Sequence, residues 1–286
     1  MRIRKKSYLN NSNLAFGIIK WTILIIMSLL LIVPLLILIN ASLKTLNEFQ
    51  MSPNSIFRLK PLTELFYNYK EAFEVLSVIR KFIYTVGMTA ISATISCIIV
   101  ILVAFPVARR YFKGFNRVTT FIIASMFFPG SLVANIWLVK FLHLYNSPLV
   151  LIMFWGFGGL SVYIFMAIRF VSDLPKELDE AAFIDGCSFF GYIFRIVIPL
   201  TKPILVTIFI LKFVGAWNDF LTPYIYLFDD KYMTLSTGLF NYKGQYSSNW
   251  PGLSAATVLI AFPVVTLYAF MQKYIVDGMT DGAIKG

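Results

Sequence analysis

Six apolar runs, each long enough to cross a lipid bilayer, constrain this chain more than any other feature. The first, Ile18 to Asn40, carries Lys20 as its only charge. At about 1.5 Å of rise per residue, such a run traverses the roughly 30 Å hydrocarbon layer. Five more follow, at Phe82–Pro106, Val118–Val139, Leu149–Ile168, Pro203–Phe228 and Gly252–Met271. Backbone groups in hydrocarbon have no water to bond, so each run is expected to be a helix. The chain is therefore expected to be an all-α integral membrane protein with six transmembrane helices. Only 14% of its 286 residues are charged, against about a quarter in soluble proteins.

The segments between the runs set the expected organisation: an N-terminal segment 1–17, a six-span domain 18–274 and a tail 275–286. Two loops, 41–81 with one short helix and 229–251, fall on one side, and the loop 172–200 falls on the other. With the N-terminus inside, that side holds fifteen Lys and Arg: five up to Lys20, four from Arg109 to Arg117, four from Arg169 to Lys202, and Lys273 with Lys285. The opposite side holds nine. Lys and Arg concentrate on the cytoplasmic side, so both termini and the 172–200 loop are expected there. The first run exceeds a signal-peptide core and continues into polar chain. A retained span is the reading, and cleavage before Ser42 is the alternative.

Several classes of chemistry are excluded. The net charge of +11 comes from basic residues in short loops beside apolar runs, an orientation pattern rather than a nucleic-acid surface. Cys97 lies in an apolar run and Cys187 in a polar loop, so both are expected as free thiols. His143 is the only histidine and lies near the outer surface, as an interfacial side chain without a catalytic partner set. No phosphate-binding Gly-rich loop, Cys-x-x-Cys or His-Glu-x-x-His spacing occurs. No cofactor is expected on this chain, and its energy source must lie elsewhere.

The polar stretch Leu174–Gly186 reads as a short helix, capped by Ser172 or Asp173, with Pro175 in its first turn, acids near its positive end and Gly186 as its stop. Leu178, Ala181, Ala182 and Asp185 recur at helical spacing, and this face with two small residues suits close docking. The fifth run holds Lys212, Trp217, Asn218 and Asp219. Charges inside a span usually pair or mark a pathway, and Lys212 and Asp219 are seven apart, on one face. The alternative is that Lys212 snorkels or pairs, Asp219 sits at the outer end, Asn218 bonds between helices and Trp217 packs. Thr85, Gly87, Thr89, Ala90, Ser92, Ala93, Thr94 and Ser96 place the second span inside the bundle. Pro129-Gly130 breaks the third span, and Gly156, Gly158 and Gly159 predict tight packing in the fourth.

Glu180-Ala181-Ala182, then Gly186 after three residues, Ile196 after nine more, and Ile198-Pro199 together resemble the cytoplasmic loop of ATP-binding-cassette (ABC) importer permeases. Ile198 stands where that pattern has Leu. Leu174–Gly186, Trp217-Asn218-Asp219-Phe220 and the ending Asp281–Gly286 resemble the carbohydrate-importing branch, in particular its maltose-permease G-type subunits. The resemblance implies a type I importer permease fold with a cytoplasmic coupling helix between spans four and five. Glu180, Ala181, Ala182, Asp185, Gly186 and Pro199 would then couple to the ATPase, with Lys285 and Gly286 reaching between the ATPase subunits. The implied partners are a homologous second permease, two ATP-binding subunits that carry ATP and Mg, and an extracytoplasmic solute-binding protein. The implied setting is a bacterial cell membrane and the cargo a sugar such as an oligosaccharide; the charges inside the fifth span make Lys212, Trp217, Asn218 and Asp219 the candidate pathway residues, while some members of the family leave sugar contacts largely to the partner permease.

Two rivals exist. A secondary transporter would use Lys212 and Asp219 for ion or proton coupling and usually carries internal repeats, which this chain lacks. A membrane-embedded lipid-modifying enzyme would need a nucleophile and base that the sequence does not supply.

Overall fold

A computed structural model describes residues 11–56, 61–128, 130–239 and 249–280. Among the described residues all regular structure is helical. The chain divides into two compact units, Met1–Glu74 with Tyr246–Leu259 and Val75–Gln245 with Ile260–Gly286.

In the first unit, α1 (Asn11–Ser42) runs unbroken through Pro34. Its apolar part, Phe16–Ser42, is 27 residues long; among the described residues nothing buries its most apolar stretch, whereas Ala41 and Ser42 at its end are buried. Most side chains from Phe16 to Ile39 stay open to the surroundings, as suits an apolar helix that faces lipid or a partner subunit. The segment 41–81 was expected to hold one short helix, but contains α2 (Leu46–Met51), α3 (Leu62–Leu65) and α4 (Tyr67–Val75). Local polar bonds account for the extra order. Thr45 and Glu48 form a reciprocal capping box at the start of α2. Buried Lys44 gives its ammonium to the Ser52 and Pro53 carbonyls at 2.9 and 2.7 Å. Asn68 from α4 donates to the carbonyls of Ser42 and Lys44 at 2.8 and 2.7 Å.

The second unit is built around α5 (Val78–Ala108), a 31-residue apolar helix. Thr85, Thr89, Ser92, Ala93 and Ser96 are buried, as expected for an interior span, whereas Thr94 faces outward. Small residues allow close approach: the Ser96 hydroxyl donates to the Gly156 carbonyl at 2.7 Å. The third run divides into α6 (Phe115–Ser125) and α7 (Leu132–Phe141), with Ser131 capping the latter. Pro129 lies outside the described residues.

The fourth run begins with α8 (Leu149–Leu151), passes into a π-helical turn at Ile152–Gly156 and resumes as α9 (Leu160–Ser172), bent by 47°. Gly156 lies against α5, but a Cβ there would meet Ile95 and Ile152 at an ordinary 3.6 and 3.7 Å, so tight packing does not require it; Gly158 and Gly159 make the bend itself. A Cβ on Gly158 would lie 2.2 Å from the Phe154 carbonyl oxygen, and Gly159 has φ +64.

Next come α10 (Glu177–Ile184), α11 (Phe189–Tyr192), a π-turn at Ile193–Val197, α12 (Ile198–Leu200) and α13 (Lys202–Asn218). The Phe189–Leu200 and Lys202–Asn218 segments meet at 80°. The fifth run does not continue as helix to Phe228: α13 ends at Asn218, and α14 (Leu221–Tyr226) follows. The Asp219 carboxylate explains the stop, because it leaves the helix and accepts the Thr222 amide at 3.1 Å. The last helix, Trp250–Thr280, runs through Pro263. Among the described residues, two helices can cross a membrane by length and composition, or up to four if each bent pair counts as one span.

Packing in the second unit follows α5. Val100, Ala104, Ile164, Ala167, Ile204 and Ile208 fill its junction with α9 and α13. Toward its C-terminal end, Ile101, Phe105, Val171, Ala182, Tyr192 and Ile193 form a second core under α10. Both cysteines are free thiols.

Candidate functional site

The first candidate site is α10 and its anchor. The helix starts at Glu177, two residues after Pro175, and neither Ser172 nor Asp173 caps it. Ser172 bonds back to Ile168 at 2.8 Å, and Asp173 ends α9. The C-terminal stop is as expected: Gly186 adopts φ +71, and the Cys187 amide returns to the Ala182 carbonyl at 3.0 Å.

The expected docking face is revised at one position. Leu178, Ala181 and Asp185 are exposed, with Glu180, Ile184 and Gly186 beside them, but Ala182 is only 6% exposed and turned into the core. Asp179, one turn earlier, is buried on the same inward face. Its carboxylate meets Arg109, which follows the end of α5, at Nε–Oδ2 2.8 Å and Nη2–Oδ1 3.1 Å. Tyr111 donates to Oδ2 at 3.1 Å, and Tyr192 donates to Oδ1. Arg109 also donates to the carbonyls of Leu174 and Pro175 at 2.9 and 3.2 Å. One guanidinium thus ties the entry to α10, and α10 itself, to the end of the central helix. Burial of the hydroxyl end of Tyr111, and then its bond to Asp179, push that phenol up to about 12.

Asp179 was not singled out from the sequence, since an acid in the first turn of a helix reads as a solvated dipole partner. Pro199 is exposed in α12. Lys285 and Gly286 lie outside the described residues.

The second candidate site is a cavity of about 380 Å³ beside the α8–α9 bend and α13, lined by Trp155, Gly158, Tyr163, Lys212 and Asp219 among others. The seven-residue spacing does bring Lys212 and Asp219 to one cavity, but they form no ion pair. Lys212 donates to the Gly158 carbonyl at 2.8 Å and lies 5.5 Å from the Tyr163 ring centre. Asp219 accepts from Trp155 Nε1 at 2.7 Å. Trp217 and Asn218 are not brought to this cavity. Asn218 is exposed, and Trp217 packs between Phe82 and Phe213 in a separate apolar groove. Trp155 and Tyr163, about fifty positions from Lys212 and Asp219, have no sequence signal connecting them to this site. Among the described residues no cluster of three His, Cys, Asp or Glu side chains forms that could hold a metal.

An apolar helical bundle with a short helix clamped to its central span defines a helical membrane protein. Residues 100–281 match the family model described as "Binding-protein-dependent transport system inner membrane component". The chain is 34% identical over 257 residues to the melibiose/raffinose/stachyose import permease protein MelC of Bacillus subtilis, covering 89% of this chain and 91% of that one. It is 33% identical over 256 residues to the sulfoquinovosyl glycerol transport system permease protein SmoH of Agrobacterium fabrum, covering 88% of each. Among solved structures, a bacterial ABC transporter involved in the import of the acidic polysaccharide alginate has a chain that superposes with TM-score 0.80 over 94% of this chain and 99% of its own, at 19% identity. That likeness concerns the fold.

The chain belongs to the binding-protein-dependent transport system inner membrane components. It is a non-catalytic permease subunit of an ABC transporter.

Proposed function

We propose that this chain is one membrane half of an ATP-driven, binding-protein-dependent importer of a sugar such as an oligosaccharide. The relatives named for import of melibiose, raffinose and stachyose and for transport of sulfoquinovosyl glycerol support a saccharide cargo. A homologous second permease completes the pore, two ATPase subunits carry ATP and Mg in the cytosol, and an external solute-binding protein delivers the cargo. The subunit crosses the bacterial cell membrane six times with both termini in the cytosol. Two continuous spans, two bent pairs, the split α6–α7 run and the Trp250–Thr280 helix support that count. The Lys and Arg asymmetry supports the orientation.

In this reading α10 is the coupling helix, and its outward face, with Leu178, Ala181, Ile184 and Asp185, enters the ATPase surface. Glu180, Gly186 and Pro199 flank that contact, and the tail ending at Lys285 and Gly286 reaches between the ATPase subunits. The observation that carries the reading is the division of α10 into two faces. Ile184 is 86% exposed beside the small Ala181, while Asp179 and Ala182 lock the other face to the bundle. Closure of the ATPases would then move α10 and, through Arg109, the end of α5. Such a contact biases a two-state bundle between outward and inward access.

Ala181→Arg tests it. ATP-driven uptake and co-purification of the ATPase subunits should both be lost, while the melting temperature of the purified subunit stays within a degree or two of wild type. Unimpaired assembly and transport would remove the docking role.

A further inference from the structure

The cavity beside the α8–α9 bend contains a charge that the protein itself does not neutralise. Lys212 is 8% exposed, yet among the described residues no carboxylate lies within 4.0 Å of its ammonium. One of its three N–H groups is used, on the Gly158 carbonyl, and the nearest aromatic face is that of Tyr163. An ammonium removed from water and left without an anion is costly, and intramembrane charges of this kind face a pathway or a ligand. The other charged group of the cavity does not relieve it. Asp219 lies two helical turns along α13, roughly 10 Å of rise away, and is engaged by the Trp155 indole and the Thr222 amide. The cavity therefore has a cationic end with unused donors, an anionic end already bonded, and the Trp155 and Tyr163 rings among its lining. Rings of this kind suit the C–H faces of a pyranose, and an ammonium suits a carboxylate or sulfonate.

We propose that this cavity is a subsite for an acidic saccharide, in which Lys212 binds the anionic group of the sugar against the Trp155 and Tyr163 rings. The inference deepens the importer reading and rests on it. It gives this subunit, rather than its partners alone, a direct part in choosing charged over neutral cargo.

The test uses the complete transporter in nanodiscs without its external binding protein, titrated with trigalacturonate and with its methyl ester, which has nearly the same shape but no charge. Wild type should bind the acid at least tenfold more tightly than the ester. Lys212→Met should erase that preference and Lys212→Arg should retain most of it. Equal binding of acid and ester by wild type, a preference that survives Lys212→Met, or no binding of either probe would each overturn the inference. The importer reading is tested separately, by ATP-driven uptake of raffinose and trigalacturonate into proteoliposomes supplied with the binding protein. Uptake of raffinose alone leaves the importer standing and removes the acidic subsite. Uptake of neither removes both.

Discussion

Arg109 and Asp179, 70 positions apart, form a two-point ion pair that joins the end of the central helix α5 to the inward face of α10. Both side chains are at least nine-tenths buried, and two tyrosine hydroxyls complete the carboxylate's shell. A buried pair is weak support for net stability, because desolvation offsets much of the attraction, but it fixes geometry strongly. Here it fixes the position from which α10 presents Ala181 and Ile184.

Breaking this pair from one side should therefore be costly. Asp179→Ala leaves the guanidinium buried without its counter-charge and should destabilise the subunit by about 3–5 kcal/mol. The double change Arg109→Met with Asp179→Leu should recover much of that loss, yet leave transport impaired, because α10 no longer has a directional tether. Detergent-phase thermal melts alongside uptake assays separate the two effects, and full transport by a stable double variant would show that the tether is dispensable.

Ala181 and Ala182 are neighbours with opposite environments, so the same enlargement should act differently on them. Ala182→Leu forces extra methylenes into the core beneath α10 and should cost about 1–3 kcal/mol. Ala181→Leu meets open surroundings and should leave the melting temperature nearly unchanged while weakening ATPase association. Equal destabilisation by both would contradict the two-faced helix.

At the bend, Gly158 and Gly159 should rank in a definite order. Gly159→Ala imposes a left-handed residue with a Cβ, a cost of about 1–2 kcal/mol, in otherwise open space. Gly158→Ala drives a Cβ to 2.2 Å from a carbonyl oxygen and cannot be accommodated without moving backbone. Expression level and melting temperature should fall further for Gly158→Ala.

Outside the spans, acid should weaken the Asp230 contact with Lys81 and Arg80. The hydrogen bond from Lys81 is the main reason that the Asp230 carboxyl is held below its ordinary range; burial opposes it, and the hydrogen bond from Arg80 assists. A folded value below the unfolded one, about 3.9, means that the stabilisation is complete above that value and is lost as pH falls through the lower folded value. Asp230→Asn should lower the melting temperature near neutral pH, and the gap to wild type should close in strong acid. A gap that stays constant with pH would exclude the ion pair as its cause.

The residues differ in how openly the sequence reports them. Gly186 was legible as a helix stop because only a residue without a Cβ enters the left-handed region readily, and it does so in the structure. The buried face of α5 was legible from its small and hydroxylated residues. The orientation of α10 was misjudged at Ala182, because alanine fits a core and a docking face equally well and carries no signal for either. The end of α13 at Asn218 was hidden for a different reason. Apolar residues continue past Asp219 to Phe228, so hydropathy does not mark a break made by one carboxylate capping a new turn.

By itself the sequence determined that this chain is a helical membrane protein and where the Glu180-Ala181-Ala182 motif falls, since hydrocarbon dictates helix and run length and the motif is a local string. Only the tertiary structure decided that Asp179 reaches Arg109, that Trp155 bonds Asp219 and that Lys212 rests on Gly158, contacts that span 54 to 70 positions. The physical reason is that a span apolar on every side fits lipid and protein equally well. Its periodicity does not state which face meets which neighbour, and that choice is made by packing and by the need of each buried polar group for a partner.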